Sequence, residues 1–314
     1  MLGIGNVGVG TYKIFQMNKK HIEDVTGTTI EFAKILARDL TKDRGVEIPT
    51  GVMTSNPDDI LNNDDIDIVV ELLGGIEPAT TFMLTALNNG KHVVTANKAA
   101  IAANYGKFME AAKRNNVKFM FEASVCGAIP VLSSISNPLC ANRFSEVMGI
   151  VNGTTNYILT QMHEFGYEYE DVLKKAQELG FAEADPTADV EGYDVANKLS
   201  VLIALMFGVH ILPKDIPTKG ISHITKADID AAKKDGCKIK LVAHAKMADN
   251  GLEYKVEPIS LPPTHPLAAV NNEFNAVFIT GNASDELVFY GRGAGSIPTG
   301  SAVAGDIVTI IKNI

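Results

Sequence analysis

The stretch EADPTADVEGYDVANKLSVLIAL, from Glu183 to Leu205, places the tightest constraint on what this chain can become. It opens with acids, a proline and turn residues, and it closes as an apolar helix. Asp194 and Lys198 are four residues apart, so in a helix their side chains share one face about a turn from each other. Behind Lys198 the run LSVLIALMFGVHIL, Leu199 to Leu212, is nearly all apolar, which predicts a helix buried on most sides with its charged end at a cavity. An isolated Asp/Lys pair is ordinarily a solvated ion pair of little worth. Here the acids Glu183, Asp185, Asp189, Glu191 and Asp194 all precede one lysine at the mouth of a buried helix. Burying such groups together is costly unless they have partners or a task.

The other end of the chain supplies a second motif. Gly3, Gly5 and Gly8 spell G-I-G-N-V-G ahead of a helical pattern, GTYKIFQMNK. In a dinucleotide fold the first glycine turns tightly, the second admits a pyrophosphate against the backbone, and the third lets a helix pack on a strand. Only Met1 and Leu2 stand before Gly3, whereas a central parallel strand takes about five residues. Either the start is truncated or wrongly chosen, or the sheet tolerates a stub. The expectation is a loop that has lost its rigid anchor, with weakened stability and cofactor binding.

Residues 29–40 read as a second strand that ends in Arg38 and Asp39. At this position an acid takes the ribose hydroxyls of NAD, while an arginine accommodates the 2′-phosphate of NADP. With Lys42 and Arg44 nearby the balance tips to NADP, with NAD as the alternative; the same two residues could equally form a solvated turn. An apolar strand over residues 65–73 closes at Gly74-Gly75, and a helix runs from Pro78 to Gly90. The strand KHVVT then delivers Thr95, Asn97 and Lys98 to its carboxyl end, where open α/β sheets bind ligands. A helix over residues 105–115 leads to the extended run VKFMFEASV. This alternation predicts an α/β fold with a Rossmann-type doubly wound parallel sheet.

Beyond residue 126 the rhythm changes. GIVNGTTNYILTQM reads as a strand, a polar turn holding Thr154 and Asn156, and a helix start. A helix over residues 170–179 ends at Gly180. IKLVAHAKM, LEYKVEPISL, NAVFITG and ELVFYG alternate as a one-faced sheet does. The expected organisation is an NAD(P)-binding domain over 1–125, an α+β substrate-binding and dimerisation domain over 126–294, and a segment 295–314 whose helix returns to the nucleotide domain.

A formal charge of -9 opposes nucleic-acid and membrane-surface partners, and leaves small molecules as ligands. Three cysteines, Cys126, Cys140 and Cys237, form no metal-ligand spacing, so neither a disulfide framework nor a zinc site is expected; Cys126 reads as packing, and a reducing cytoplasm fits. The histidines show no paired spacing. The longest apolar run falls short of the roughly 20 residues of a spanning helix.

TANKAAIA, FEASVCGAIP, GIVNGTTNYIL, LGFAEADPTADVEGYDVANKL and YGRGAGSIPTGSAV, in this order after the glycine loop, resemble homoserine dehydrogenase over nearly the whole chain. The resemblance implies NAD(P)-dependent interconversion of L-aspartate 4-semialdehyde and L-homoserine, towards threonine, methionine and isoleucine. It makes Lys198 the catalytic lysine, Asp194 the acid on its substrate side, Glu183 the group that holds the substrate amino function, and Lys98 the lysine between substrate and nicotinamide. Gly180 and Gly295 fall where backbone approaches the cofactor, as do Asn6, Val7 and Thr95. Glu122 with the carbonyls of Val125, Gly127 and Ile129 matches a site for sodium or potassium. A homodimer is implied. The chain ends without the regulatory ACT domain of some relatives, and no aspartate kinase portion precedes it, so threonine feedback through such a domain is not expected.

Reduction needs a group that stabilises the developing alkoxide and protonates it, and an ammonium does both. An ordinary lysine, with a pKa of about 10.4, is charged at neutral pH. Oxidation needs it neutral, which predicts an optimum for homoserine oxidation well above about pH 8. Glu183 and Asp189 also suit turn or capping roles. Thr154 and Asn156 could satisfy backbone groups instead of substrate, and Glu122 could simply pair locally. Two alternatives stay open: a non-catalytic nucleotide-binding regulator, and a related semialdehyde or amino-acid dehydrogenase.

Overall fold

Leu2 occupies the place of a first strand. In a computed structural model of the chain, which describes residues 1–313, Leu2 forms parallel bridges to Leu36 on one side and Glu71 on the other. Leu2 N–H donates to Val70 O (2.7 Å) and Leu2 O accepts from Leu72 N–H (2.8 Å); on the opposite flank Leu36 N–H donates to Met1 O (2.8 Å) and Gly3 N–H to Leu36 O (3.1 Å). Leu2 thus pairs on both edges as a strand residue does, directly ahead of the glycine turn. Burial of the Met1 ammonium, which donates to Lys34 O, lowers its pKa to about 5.

The chain divides into two compact units, Met1–Ala128 with Ala294–Ile314, and Ile129–Gly293. In the first, helices α1 (Asn6–Met17) and α2 (Lys19–Thr26) precede strands β1 (Ile35–Leu36) and β2 (Met53–Thr54). Helix α3 (Asp58–Leu61), strand β3 (Ile68–Glu71), helix α4 (Ala79–Asn88), strand β4 (His92–Thr95), helix α5 (Lys98–Arg114) and strand β5 (Phe119–Met120) follow. Their order is β2-β1, the Leu2 stub, then β3-β4-β5, and every pairing is parallel. The C-terminal helix Ser296–Ile311 packs here, with Val303, Ile307 and Ile310 joining Tyr12, Phe15, Ile35 and Val70 in one core.

Three local expectations need correction. The strand expected over residues 29–40 is confined to Ile35–Leu36, because the stub offers backbone partners no further back than Lys34, and Phe32 packs instead against Tyr12 and Phe15 (ring centroids 5.1 and 5.5 Å). The helix expected from residue 105 starts at Lys98: Asn97 caps it, its Oδ1 accepting from Ala100 N–H (3.1 Å), and a non-helical Asn104 separates the two stretches. VKFMFEASV yields only the two residues of β5 before one tight turn at Glu122–Ser124.

The second unit contains helices α6 (Val131–Ser136), α7 (Gly153–Phe165), α8 (Tyr169–Glu178), α9 (Thr187–Val190), α10 (Tyr193–Phe207) and α11 (Lys226–Lys234). Its strands are β6 (Phe144–Ile150), β7 (Lys238–Ala248), β8 (Gly251–Leu261), β9 (Phe274–Gly281) and β10 (Asp285–Arg292), in the antiparallel order β10-β9-β6-β7-β8. Helix α10 is the buried helix of the acidic stretch, but it stops at Phe207: Gly208 takes a left-handed φ of 70° and ends it inside the apolar run. No helix among the described residues is long and apolar enough to cross a membrane.

Candidate functional site

Within the second unit, the first two turns of α10 and the loop after β6 assemble a small buried polar centre. Lys198 is 8% exposed and Asp194 6%. Lys198 Nζ donates to Asp194 Oδ2 at 2.7 Å and to Val151 O at 2.6 Å. A buried ammonium has three protons to satisfy, and these bonds direct two of them. Asp194 Oδ2 also accepts from Asn152 Nδ2 (2.8 Å), whose other proton goes to Asp189 Oδ1 (2.7 Å). Asn152 thus holds two acids while its own Oδ1 caps α7 by accepting from Thr155 N–H (2.9 Å).

Asn152 was not singled out from the sequence. The signal was an Asn directly before G-T-T at the opening of a helix, a capping pattern whose spare amide protons point at whatever lies beside it. Thr154 and Asn156, which were singled out, bind protein instead. Thr154 Oγ1 donates to Phe181 O (2.6 Å), and Asn156 Nδ2 donates to Val270 O and Phe274 O. Asn156 Oδ1 accepts from Lys240, a buried lysine that burial, then the neighbouring Lys238 charge, lowers to about 7. Glu183 lies on the exposed loop between α8 and α9, where its carbonyl accepts from Gln177 Nε2 (3.1 Å). Gly180 is exposed, with a left-handed φ of 76° that closes α8.

Within the first unit, Gly3, Gly5, Asn6, Arg38 and Gly74 border one cleft of about 1070 Å³ at the carboxyl ends of the strands. Gly3 has φ 99°, and a Cβ there would stand 2.9 Å from Leu72 O; a Cβ on Gly8 would stand 2.8 Å from Gly3 O. Both positions therefore need glycine, and together they seat α1 on the turn. Helix α1 begins at Asn6 with no side-chain cap, so the amides of Asn6, Val7 and Gly8 present the positive end of a helix to the cleft. Gly295 (φ 121°) precedes the C-terminal helix, where Ser296 Oγ donates to Asn6 O (2.6 Å).

The wall after β1 is not what the alternation of Arg38 and Asp39 implied. Asp39 turns its carboxylate inward to its own loop: Oδ1 accepts from Thr41 N–H and Oγ1 (both 2.8 Å) and Lys42 N–H (3.1 Å), bonds that hold its pKa below the ordinary value. Arg44 likewise closes on Lys42 O and Asp39 O. Arg38 and Lys42 stay exposed beside the cleft. Thr95 is buried and its hydroxyl donates to Glu71 Oε2 (2.7 Å); Lys98 is half-buried in the first turn of α5.

Glu122, Val125 and Gly127 are buried in the first unit, and Ile129 is the first residue of the second. Glu122 N–H donates to Asp306 Oδ2 (2.9 Å) on the C-terminal helix; burial, with the Glu122 charge added, pushes Asp306 up to about 7. Cys126 is buried, as packing requires, and takes a positive φ of 59°.

Comparison with known proteins gives these two centres a common name. The family model for homoserine dehydrogenase matches residues 130–308, and the model for the homoserine dehydrogenase NAD binding domain matches residues 3–122. Homoserine dehydrogenase of Bacillus subtilis (strain 168) is 44% identical over 314 residues, all of this chain and 72% of that one. The crystal structure of a homoserine dehydrogenase from Thiobacillus denitrificans aligns with a TM-score of 0.95 at 42% identity, covering 99% of this chain and 72% of that chain. A hyperthermophilic archaeal homoserine dehydrogenase in complex with NADPH aligns with a TM-score of 0.83 at 25% identity, covering 100% and 97%. A glycine turn at the head of a parallel sheet, a buried lysine held by an acid, and matches along both units agree: this chain belongs to the homoserine dehydrogenase family.

Proposed function

We propose that the chain interconverts L-aspartate 4-semialdehyde and L-homoserine, with NADP preferred over NAD as hydride carrier. The observation that carries this is Lys198, a buried ammonium fixed by Asp194 and Val151 O with a third N–H to offer. Bound NADPH supplies the hydride. In reduction the aldehyde carbon accepts that hydride, the carbonyl electron pair moves to oxygen, and Lys198 gives the oxygen its proton. Asp194 aims the lysine; in oxidation the neutral amine takes the alcohol proton back. Glu183 and Lys98 would hold the two ends of the substrate. A lysine in the first turn of a helix faces the positive end of its dipole, so the position of Lys98 is one that stability alone would not choose.

NADP fits the wall of the cleft. Thr41 and Lys42 engage one oxygen of the Asp39 carboxylate, whereas Arg38 and Lys42 offer positive charge to a 2′-phosphate. Cofactor contacts are assigned to Gly3, Gly5, Asn6, Val7, Gly8, Arg38, Gly74, Thr95, Lys98, Gly180 and Gly295. Sodium or potassium would be held by oxygen, the Glu122 carboxylate with the carbonyls of Val125, Gly127 and Ile129, a donor set that suits a hard cation. A homodimer would form through the sheet of the second unit, where Val288 and Tyr290 leave an apolar face exposed. The few cysteines suit a cytoplasmic location.

Loss of NADPH absorbance on adding aspartate semialdehyde tests the proposal. Consumption with this aldehyde is the expected result. Cofactor binding without turnover would make the chain a regulator, and turnover only with another aldehyde would move it to a related dehydrogenase.

A further inference from the structure

Glu71 is a buried acid for which the mechanism above has no use. It is the last residue of β3, 0% exposed, in register with Thr95 at the end of β4 and bridged to Leu2 on its other side. Its Oε2 accepts from Thr95 Oγ1 (2.7 Å), and its Oε1 accepts from Leu73 N–H (2.7 Å) and, at 3.5 Å, from Asn97 Nδ2. Asn97 Nδ2 also donates to Gly75 O (2.7 Å), Asn97 N–H donates to Thr95 Oγ1 (2.9 Å), and Asn97 Oδ1 caps α5. One carboxylate therefore ties together the turn at residues 72–75, the end of β4 and the start of the helix that opens with Lys98.

All the donors are neutral. Thr95, Asn97, the Leu73 and Gly74 amides and the Leu2 stub are what meet Glu71, and no neighbouring charge contributes to its titration; burial raises its pKa, against those hydrogen bonds. A buried carboxylate without a cationic partner is a poor stabiliser, and an uncharged isostere would fold at least as well. The sign follows from linkage: with the folded pKa above the unfolded one, stability falls as pH rises between the two values. Ionising this group thus works against folding, and the group stands at the carboxyl ends of two parallel strands, where such sheets bind ligands.

We infer that Glu71 is a positioning residue of the cofactor site: its ionised carboxylate holds the 72–75 turn and the 95–98 loop in the arrangement that receives NAD(P), and its protonation releases both. This rests on the assignment of Gly74, Thr95 and Lys98 to that site.

The test is Glu71→Gln, compared with the unaltered protein by NADH binding between about pH 8 and about pH 5 and by thermal unfolding. NADH is chosen because it lacks the 2′-phosphate, which titrates in the same range. The unaltered protein should lose affinity about tenfold as pH falls, and Glu71→Gln should bind weakly and independently of pH while unfolding at the same or a higher temperature at neutral pH. Thr95→Val, which removes one donor and little volume, should move the loss of affinity to higher pH. Unchanged affinity in Glu71→Gln, a flat profile in the unaltered protein, or weak binding accompanied by a lowered unfolding temperature would each overturn the inference. Gly5→Asp serves as reference, since nothing lies within 4 Å of a Cβ there and the fold should accept it. If Gly5→Asp blocks binding and Glu71→Gln does not, only the role of Glu71 falls; if neither affects it, the cofactor site itself is wrongly assigned.

Discussion

The two units differ in what they would offer a ligand: one presents bare backbone and the other buried, charged side chains. The first works with bare backbone: Gly3 and Gly8 clear space, and the uncapped amides of α1 offer partial charge that needs no desolvated side chain. The second buries Lys198, Asp194 and Asn152, with Asp189 half-buried at the end of the chain of bonds. Side chains are what the glycine turn must avoid and what the second centre is made of. Truncation should therefore wound the second site most, because each removal strands a buried partner, and the first should respond chiefly to what is added.

The sharpest blow to that contrast is Lys198→Met. It removes the proton donor and leaves Asp194 buried without its cation, so aldehyde reduction should fall at least about a hundredfold and stability by about 3–5 kcal/mol. Turnover, NADPH binding and denaturant unfolding are to be measured together; a matching loss of NADPH affinity would show that the labour is not divided as described. Asn152→Ser should do less. A serine still caps α7, which limits the stability loss to about 1 kcal/mol, but the amide that spans Asp189 and Asp194 is gone, and kcat should fall about tenfold with little change in the KM for NADPH. An unchanged kcat would reduce Asn152 to a cap. The smallest effect belongs to Arg38→Ala in the first unit: the KM for NADPH should rise roughly three- to tenfold and that for NADH stay put, with the difference fading as salt is added. Equal changes for both coenzymes would take Arg38 away from the 2′-phosphate.

The same contrast explains what could be foreseen. Periodicity and the glycine spacing marked the parallel sheet, the buried α10 and the Asp194–Lys198 pair, since these depend on neighbours close in sequence. The acid pair at Asn152 was hidden because its partners lie 37 and 42 residues away. Asp39 looks like a ribose ligand by position, and only the local turn reveals that its Oδ1 is engaged by Thr41 and Lys42. The pairing of Leu2 was hidden for a different reason: strand length alone does not show that Leu2 is inserted between two neighbours and bonded on both edges. Thr154 and Asn156 have the right chemistry for a ligand, but polar side chains at the start of a buried helix go first to the backbone around them.

The bond from Ser296 to Asn6 joins residues 290 apart in sequence. Helix α1 leaves the ribosome well before the C-terminal helix that packs against it, and Ile129–Gly293 is a continuous segment synthesised between the two. Synthesis thus runs against the usual N-to-C order of maturation. The nucleotide-binding unit is begun before that segment, and its closure has to wait for chain made after it.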